Sequence, residues 1–143
     1  MNTLNRRRLI AAAGGLWLLR PAAATPESLA AALRDFSGGA PLRDGRVQLD
    51  IAPLVDNGNT VPVGVSVPGV PAEQVQALAL FTERNPQSEV LRAQFGPRAG
   101  ERSLATRMRL ATSQQLVAAA KLTDGSCWVQ RVDVIVTLSA CLE

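Results

Sequence analysis

From residue 25 onward the chain shows one stretch of helical period followed by a long series of alternations. Leu29, Ala32, Leu33 and Phe36 recur at helical spacing. Thr25, Pro26 and Glu27 supply a capping residue, a proline for the first helical position and an acid for the first turn. Gly38 and Gly39 end the pattern, so the spacing predicts one short amphipathic helix docked by one face. The period then becomes two. Val47, Leu49 and Ile51 alternate with polar neighbours, as do Val61, Val63, Val65 and Val67. Leu91, Ala93 and Phe95 repeat the pattern, and so do Leu104, Thr106, Met108 and Leu110.

Two segments are more continuously apolar. Residues 75 to 81, VQALALF, read as a central strand, and QLVAAAKL at 115 to 122 runs into the turn Thr123-Asp124-Gly125-Ser126. The last alternation is the clearest, with Trp128, Val132, Val134, Val136 and Leu138 on one face and Arg131, Asp133 and Thr137 on the other. Seven short strands separated by Gly, Pro, Asn and Asp predict an all-β domain, an antiparallel β-sandwich of immunoglobulin-like type with a short N-terminal helix. It occupies residues 25–143 with no internal boundary. Asn57-Gly58 reads as a turn, Asn85-Pro86 as a strand-ending loop, Arg107 and Arg109 as a solvated sheet face and Trp128 as core.

Residues 1–24 read as an export leader. Asn5, Arg6, Arg7, Arg8, Leu9 and Ile10 fit a twin-arginine arrangement. The apolar segment Leu9 to Leu19 is diluted by alanine and glycine and is too short to span a bilayer, which needs about 20 apolar residues. Ala22 and Ala24 form a small-residue cleavage site, so the mature chain is expected to begin at Thr25, in the periplasm and without stable membrane insertion.

Setting the leader aside changes the charge balance. Four of the 15 basic residues (Arg6, Arg7, Arg8 and Arg20) lie in it, leaving 11 against 12 acidic residues. A near-neutral domain without a basic run interleaved with aromatics gives no reason to expect a nucleic-acid partner. The chain contains no histidine and no tyrosine. A Ser-His-Asp or Cys-His site cannot be assembled, and the commonest metal ligand is missing. Two cysteines alone do not make a zinc site. No cofactor or metal is expected, and chemistry would have to reside in a thiol or a partner.

The two cysteines are Cys127 and Cys141. They flank the last strand, which would separate them by roughly 45 Å if extended, whereas a disulfide needs Cα atoms within about 7 Å. Cys127 therefore reads as a small apolar strand residue. Cys141 lies beyond the strand and should project past the folded body. An unbridged cysteine in an exported chain points to intermolecular pairing or a reactive thiol.

Several segments resemble the SoxY sulfur-carrier family: Asp44-Gly45-x-Val47-x-Leu49, NGNTVPVGV at 57 to 65, Asn85-Pro86, TRMRLATSQQLVAAAKLTDGS at 106 to 126, and a strand running into a terminal cysteine. The resemblance implies a periplasmic immunoglobulin-like carrier that pairs with a SoxZ-like small β-sandwich subunit. Such a carrier holds thiosulfate-derived intermediates on a cysteine within a Gly-Gly-Cys-Gly-Gly tail, where pathway enzymes load, oxidise and hydrolyse them. Cys141 falls at the carrier position, while Ser139, Ala140, Leu142 and Glu143 stand where glycines would be. A five-residue arm from Ser139 to Glu143 would reach about 16 Å, but its side chains widen and stiffen it. Glu143 and the terminal carboxylate would repel an anionic sulfur species.

Two readings follow. One is a carrier subunit, not an enzyme, with Cys141 as the covalent attachment point. The other is a binding or structural subunit of the same shape that has lost the tail chemistry. An apolar face and open sheet edges would suit the partner in either case, with the run at 75 to 81 as weak support.

Overall fold

Residues 77–81 and 116–120 are apolar and buried at every position because the strands they belong to are covered on both faces. The computed structural model describes residues 24–141; residues 1–23 of the expected leader, and the calls on Leu142 and Glu143, lie outside them. Among the described residues one α-helix, α1 (Pro26–Ser37), precedes nine strands. These are β1 (Leu42–Asp44), β2 (Gln48–Asp50), β3 (Leu54–Asn57), β4 (Val61–Ser66), β5 (Val75–Thr82), β6 (Glu89–Gln94), β7 (Leu104–Met108), β8 (Gln114–Leu122) and β9 (Cys127–Leu138).

The strands form two sheets. The larger runs β1-β9-β8-β5-β6 with β3 also paired to β9, and the smaller is β2-β4-β7. Between them lies the main core, to which β5 contributes Leu78 and Leu80, β8 contributes Leu116, Ala118, Ala120 and Leu122, and β4 contributes Val61, Val63 and Val65. The opposite face of the large sheet carries α1. Leu29, Leu33 and Phe36 pack on Ala77, Ala79, Phe81, Val117, Ala119 and Val129, with the Phe36 and Phe81 rings edge to face at 5.9 Å. The alanines leave room for the helix, so small residues alternate with large ones according to which layer they face.

The helix is specified locally and held by packing. Thr25 Oγ1 accepts from the Ser28 amide at 3.3 Å and Ser28 Oγ accepts from the Thr25 amide at 2.8 Å, a reciprocal cap. Gly38, at φ 64°, closes it. Twelve residues make a helix too short to be stable alone, so burial of Leu29, Leu33 and Phe36, each contributing roughly 1.5–3 kcal/mol, keeps it in place. Arg92 on β6 bonds Glu89 at 2.6 Å and Asp35 of the helix at 2.8 Å.

Three expectations need correction. Nine strands replace seven, because β1 and β3 are only three and four residues long and their apolar pattern is too short to register. The sandwich is not wholly antiparallel, since β1 and β3 both run parallel to β9. Between them the chain crosses to the smaller sheet as β2, where the Leu49 amide donates to Gln130 Oε1 of β9 at 2.6 Å. The apolar run at 75 to 81 is no partner face, because α1 and the main core cover its two sides.

β9 also departs from a single buried face. Val134 and Val136 point into the core, Trp128 and Val132 are half-buried against it, and Leu138 is 58% exposed at the end of the strand. On its other face Cys127 and Val129 are buried toward the helix. Trp128 borders the core as expected, with the guanidinium groups of Arg43 and Arg46 5.6 and 4.7 Å from its ring centre. Arg107 and Arg109 are exposed.

Candidate functional site

The two cysteines sit at opposite ends of β9, and both are free thiols. Cys127 is fully buried at the start of the strand, its Sγ donating to the Ser37 carbonyl at 3.9 Å beneath the end of α1. Burial pushes its pKa up, since a thiolate would lose its hydration there. It is the small apolar residue that its setting suggested. Cys141 is exposed.

What holds Cys141 in place begins where β8 ends. β9 pairs with β8 as far as Val134, after which β3 lies alongside, with Leu54, Val55 and Asn57 opposite Ile135, Val136 and Leu138. The Val136 amide donates to Ser113 Oγ at 2.9 Å. Beyond the strand the tail stays attached. The Gly58 amide donates to the Leu138 carbonyl at 2.7 Å, the Leu110 amide to the Gly58 carbonyl at 2.8 Å, and the Ala140 amide to the Leu110 carbonyl at 2.9 Å. Ala140 is itself buried. The expected free arm from Ser139 is therefore shorter: the chain is tethered through Ala140, and Cys141 is the first residue past the tether.

Leu110 can serve as an anchor because its loop is fixed from below. Asn85, buried between β5 and β6, donates through Nδ2 to the Arg109 carbonyl at 2.8 Å, and its Oδ1 accepts from the Ala111 amide at 3.1 Å and from Gln114 Nε2 at 2.8 Å. Gln114 in turn accepts from the Arg84 amide at 2.9 Å. Each amide group is thus satisfied on both its donor and acceptor sides, as burial demands. Leu110 itself is wholly buried.

Sequence reading placed Cys141 correctly as an exposed residue but missed Gly58, Asn85, Leu110 and Gln114 as its supports. Asn57-Gly58 is indeed a turn, in which Asn57 Oδ1 accepts from the Asn59 amide at 2.9 Å, and Asn85-Pro86 does lie in a loop. The signal was present in the segments 57 to 65, 85 to 86 and 106 to 126, which converge on the tail. Their long-range bonds could not be inferred from spacing. Among the described residues, no group of three or more His, Cys, Asp and Glu side chains is placed to hold a metal, and no helix is long and apolar enough to cross a membrane.

The fold has relatives among solved structures. The sulfur carrier protein SoxY from Chlorobium limicola f thiosulfatophilum is 23% identical, with a TM-score of 0.68 over 80% of this chain and 100% of that one. A superoxide reductase (neelaredoxin) from Ignicoccus hospitalis is 19% identical, with a TM-score of 0.56 over 64% of this chain and 80% of that one. A putative superoxide reductase from Thermotoga maritima is 16% identical, with a TM-score of 0.55 over 71% and 90%. At such identities the likeness concerns the fold alone. No curated protein matches the sequence. The model of the family described as sulfur oxidation protein SoxY matches residues 33–141, from the middle of α1 to the exposed thiol, and the chain belongs to that family.

Proposed function

We propose that this chain is a periplasmic sulfur-carrier subunit of a thiosulfate-oxidising system, acted on by partner enzymes, with Cys141 as the covalent attachment point. One observation carries the reading: the family match ends on an exposed thiol that the fold holds just outside its body. The Chlorobium relative is itself a sulfur carrier by name. Joining a cysteine thiol to the outer sulfur of thiosulfate forms one sulfur–sulfur bond and releases the thiol proton and two electrons, which a partner enzyme has to accept. The carrier supplies the nucleophile and its placement. Hydrolysis by another partner would release the sulfonate sulfur as sulfate and leave the inner sulfur on the cysteine as a persulfide. The free thiol returns only after a partner enzyme takes six electrons from that sulfur and a second hydrolysis releases it as sulfate.

The rest of the proposal concerns the chain's surroundings. The sandwich is of immunoglobulin-like type, its parallel β1 and β3 both flanking the last strand. A SoxZ-like small β-sandwich is the expected partner, and exposed Leu54 and Ile135, at 60% and 61% and opposite each other on β3 and β9, form an apolar patch that such a subunit would cover. Export follows the twin-arginine route, so changing Arg6 and Arg7 to lysine should keep the chain out of the periplasm.

The deciding experiment is intact mass after exposure to thiosulfate and the pathway enzymes. An adduct on the wild-type chain that persists in Cys127→Ser and disappears in Cys141→Ser supports the carrier. A wild-type chain that stays unmodified, becoming loaded only when Leu142 and Glu143 are replaced by glycine, would make it a binding subunit instead.

A further inference from the structure

Three backbone hydrogen bonds meet beneath Cys141, and Gly58 takes part in two of them. Gly58 does not occupy the left-handed region that Gly38, Gly39, Gly45, Gly69 and Gly125 do, so its turn does not require a glycine for conformational reasons. Space requires it. A Cβ at position 58 would lie 2.6 Å from the Leu110 carbonyl oxygen and 3.1 Å from both the Ala140 nitrogen and Val136 Cγ1. Two of those three neighbours are backbone atoms, which cannot swing aside as a side-chain tip can.

We infer that Gly58 is a positioning residue for the carrier thiol: by admitting the close approach of Leu110 and the tail, it fixes the pivot of the arm at Ala140 and presents Cys141 as the first untethered residue. This rests on the reading of Cys141 as the attachment point. The two anchors differ in stiffness. Leu110 is wholly buried in a loop fixed by Asn85 and Gln114, whereas Ala140 lies beyond the last strand and is bonded through its amide to Leu110. A side chain at 58 therefore displaces the tail rather than the loop, breaking the bond from the Ala140 amide to the Leu110 carbonyl. The tether also changes the reach of the arm. Pivoting at Ala140 leaves Cys141 one residue, about 3.5 Å of extended chain, from its pivot, instead of the three residues and about 10 Å of an arm free from Ser139. A short arm with a fixed pivot loses less freedom on entering a partner's active site, which favours productive docking.

The test uses the full mature chain with a nitroxide on Cys141, Cys127 being shielded by burial. In Gly58→Ala and in Ala140→Pro, which removes the tethering amide, the label should tumble at least about threefold faster. Ala140→Ser, which keeps that amide, should behave like wild type. In steady-state loading of the unlabelled chain by the pathway enzyme, the first two variants should raise KM for the carrier by a factor on the order of five, with kcat held. A wild-type label already as mobile as one on a free tail, or label motion and KM unchanged in both variants, overturns the inference. A lower melting temperature in Gly58→Ala with unchanged label motion does so as well, because it assigns Gly58 a purely structural role. Failure of the wild-type chain to load defeats the carrier reading instead, and the label motion still decides the tether.

Discussion

Cys127 and Cys141 are the same residue type at the two ends of one strand, and the fold treats them oppositely. At the start of β9 the strand lies beneath α1 and beside β8, so Cys127 has no water and no access. At the far end β8 has stopped, and the chain is held by β3, by Ser113 and by backbone bonds to Gly58 and Leu110. A thiol becomes reactive through exposure and ionisation rather than through its identity. The contrast teaches that layer coverage along a single strand can separate an inert cysteine from an available one.

The largest effect expected from this contrast is in alkylation. Cys141 should react with iodoacetamide at the rate of an accessible thiol, while Cys127 reacts only when the domain opens. With opening free energies of several kcal/mol, the two rates should differ by a factor on the order of a thousand or more. Peptide mapping after timed quenching measures both. Comparable rates would mean that α1 does not seal its end of the strand.

Asn85→Ala should affect the two ends unequally. It removes the partner of the Arg109 carbonyl, the Ala111 amide and the Gln114 side chain, and leaving such groups buried and unpaired costs about 1–3 kcal/mol. Urea titration gives the loss of stability, and amide exchange locates it. Faster exchange at Leu110 and Ala140 with little change at Val129 is the expected pattern, and uniform acceleration would argue against a local support for the tail.

A smaller effect concerns pH. Burial raises the Cys127 pKa, so the folded chain keeps a proton that the unfolded chain gives up above about 8.5. Stability should therefore fall as pH rises through that value, by up to about 1.4 kcal/mol for each unit until the folded thiol also ionises. No tyrosine is present to confuse the measurement. Urea midpoints from pH 7 upward should show the decline in wild type and a shallower slope in Cys127→Ala. Equal slopes would show that the thiol is hydrated in the folded state.

By itself the sequence determined the helix with its cap, the alternation of β4 and β9, the centrality of β5 and β8, and the exposure of Cys141. Each of these follows from the period of apolar residues or from a few neighbouring ones, because helix caps, strand faces and tight turns are local physics. Only the tertiary structure decided the rest. The alternation of β9 did not reveal that its first half is buried on both sides, since that depends on where α1 docks. β1 and β3 were invisible because parallel pairing with a distant strand leaves no local turn signal. Gly58 read as a turn residue, yet a close approach by Leu110 and Ala140 explains the absence of a side chain there. Asn85 and Gln114 read as polar loop and strand residues, although their buried bonds fix the tail's anchor. Such contacts join residues far apart in the chain, and their geometry exists only once the sheets have closed.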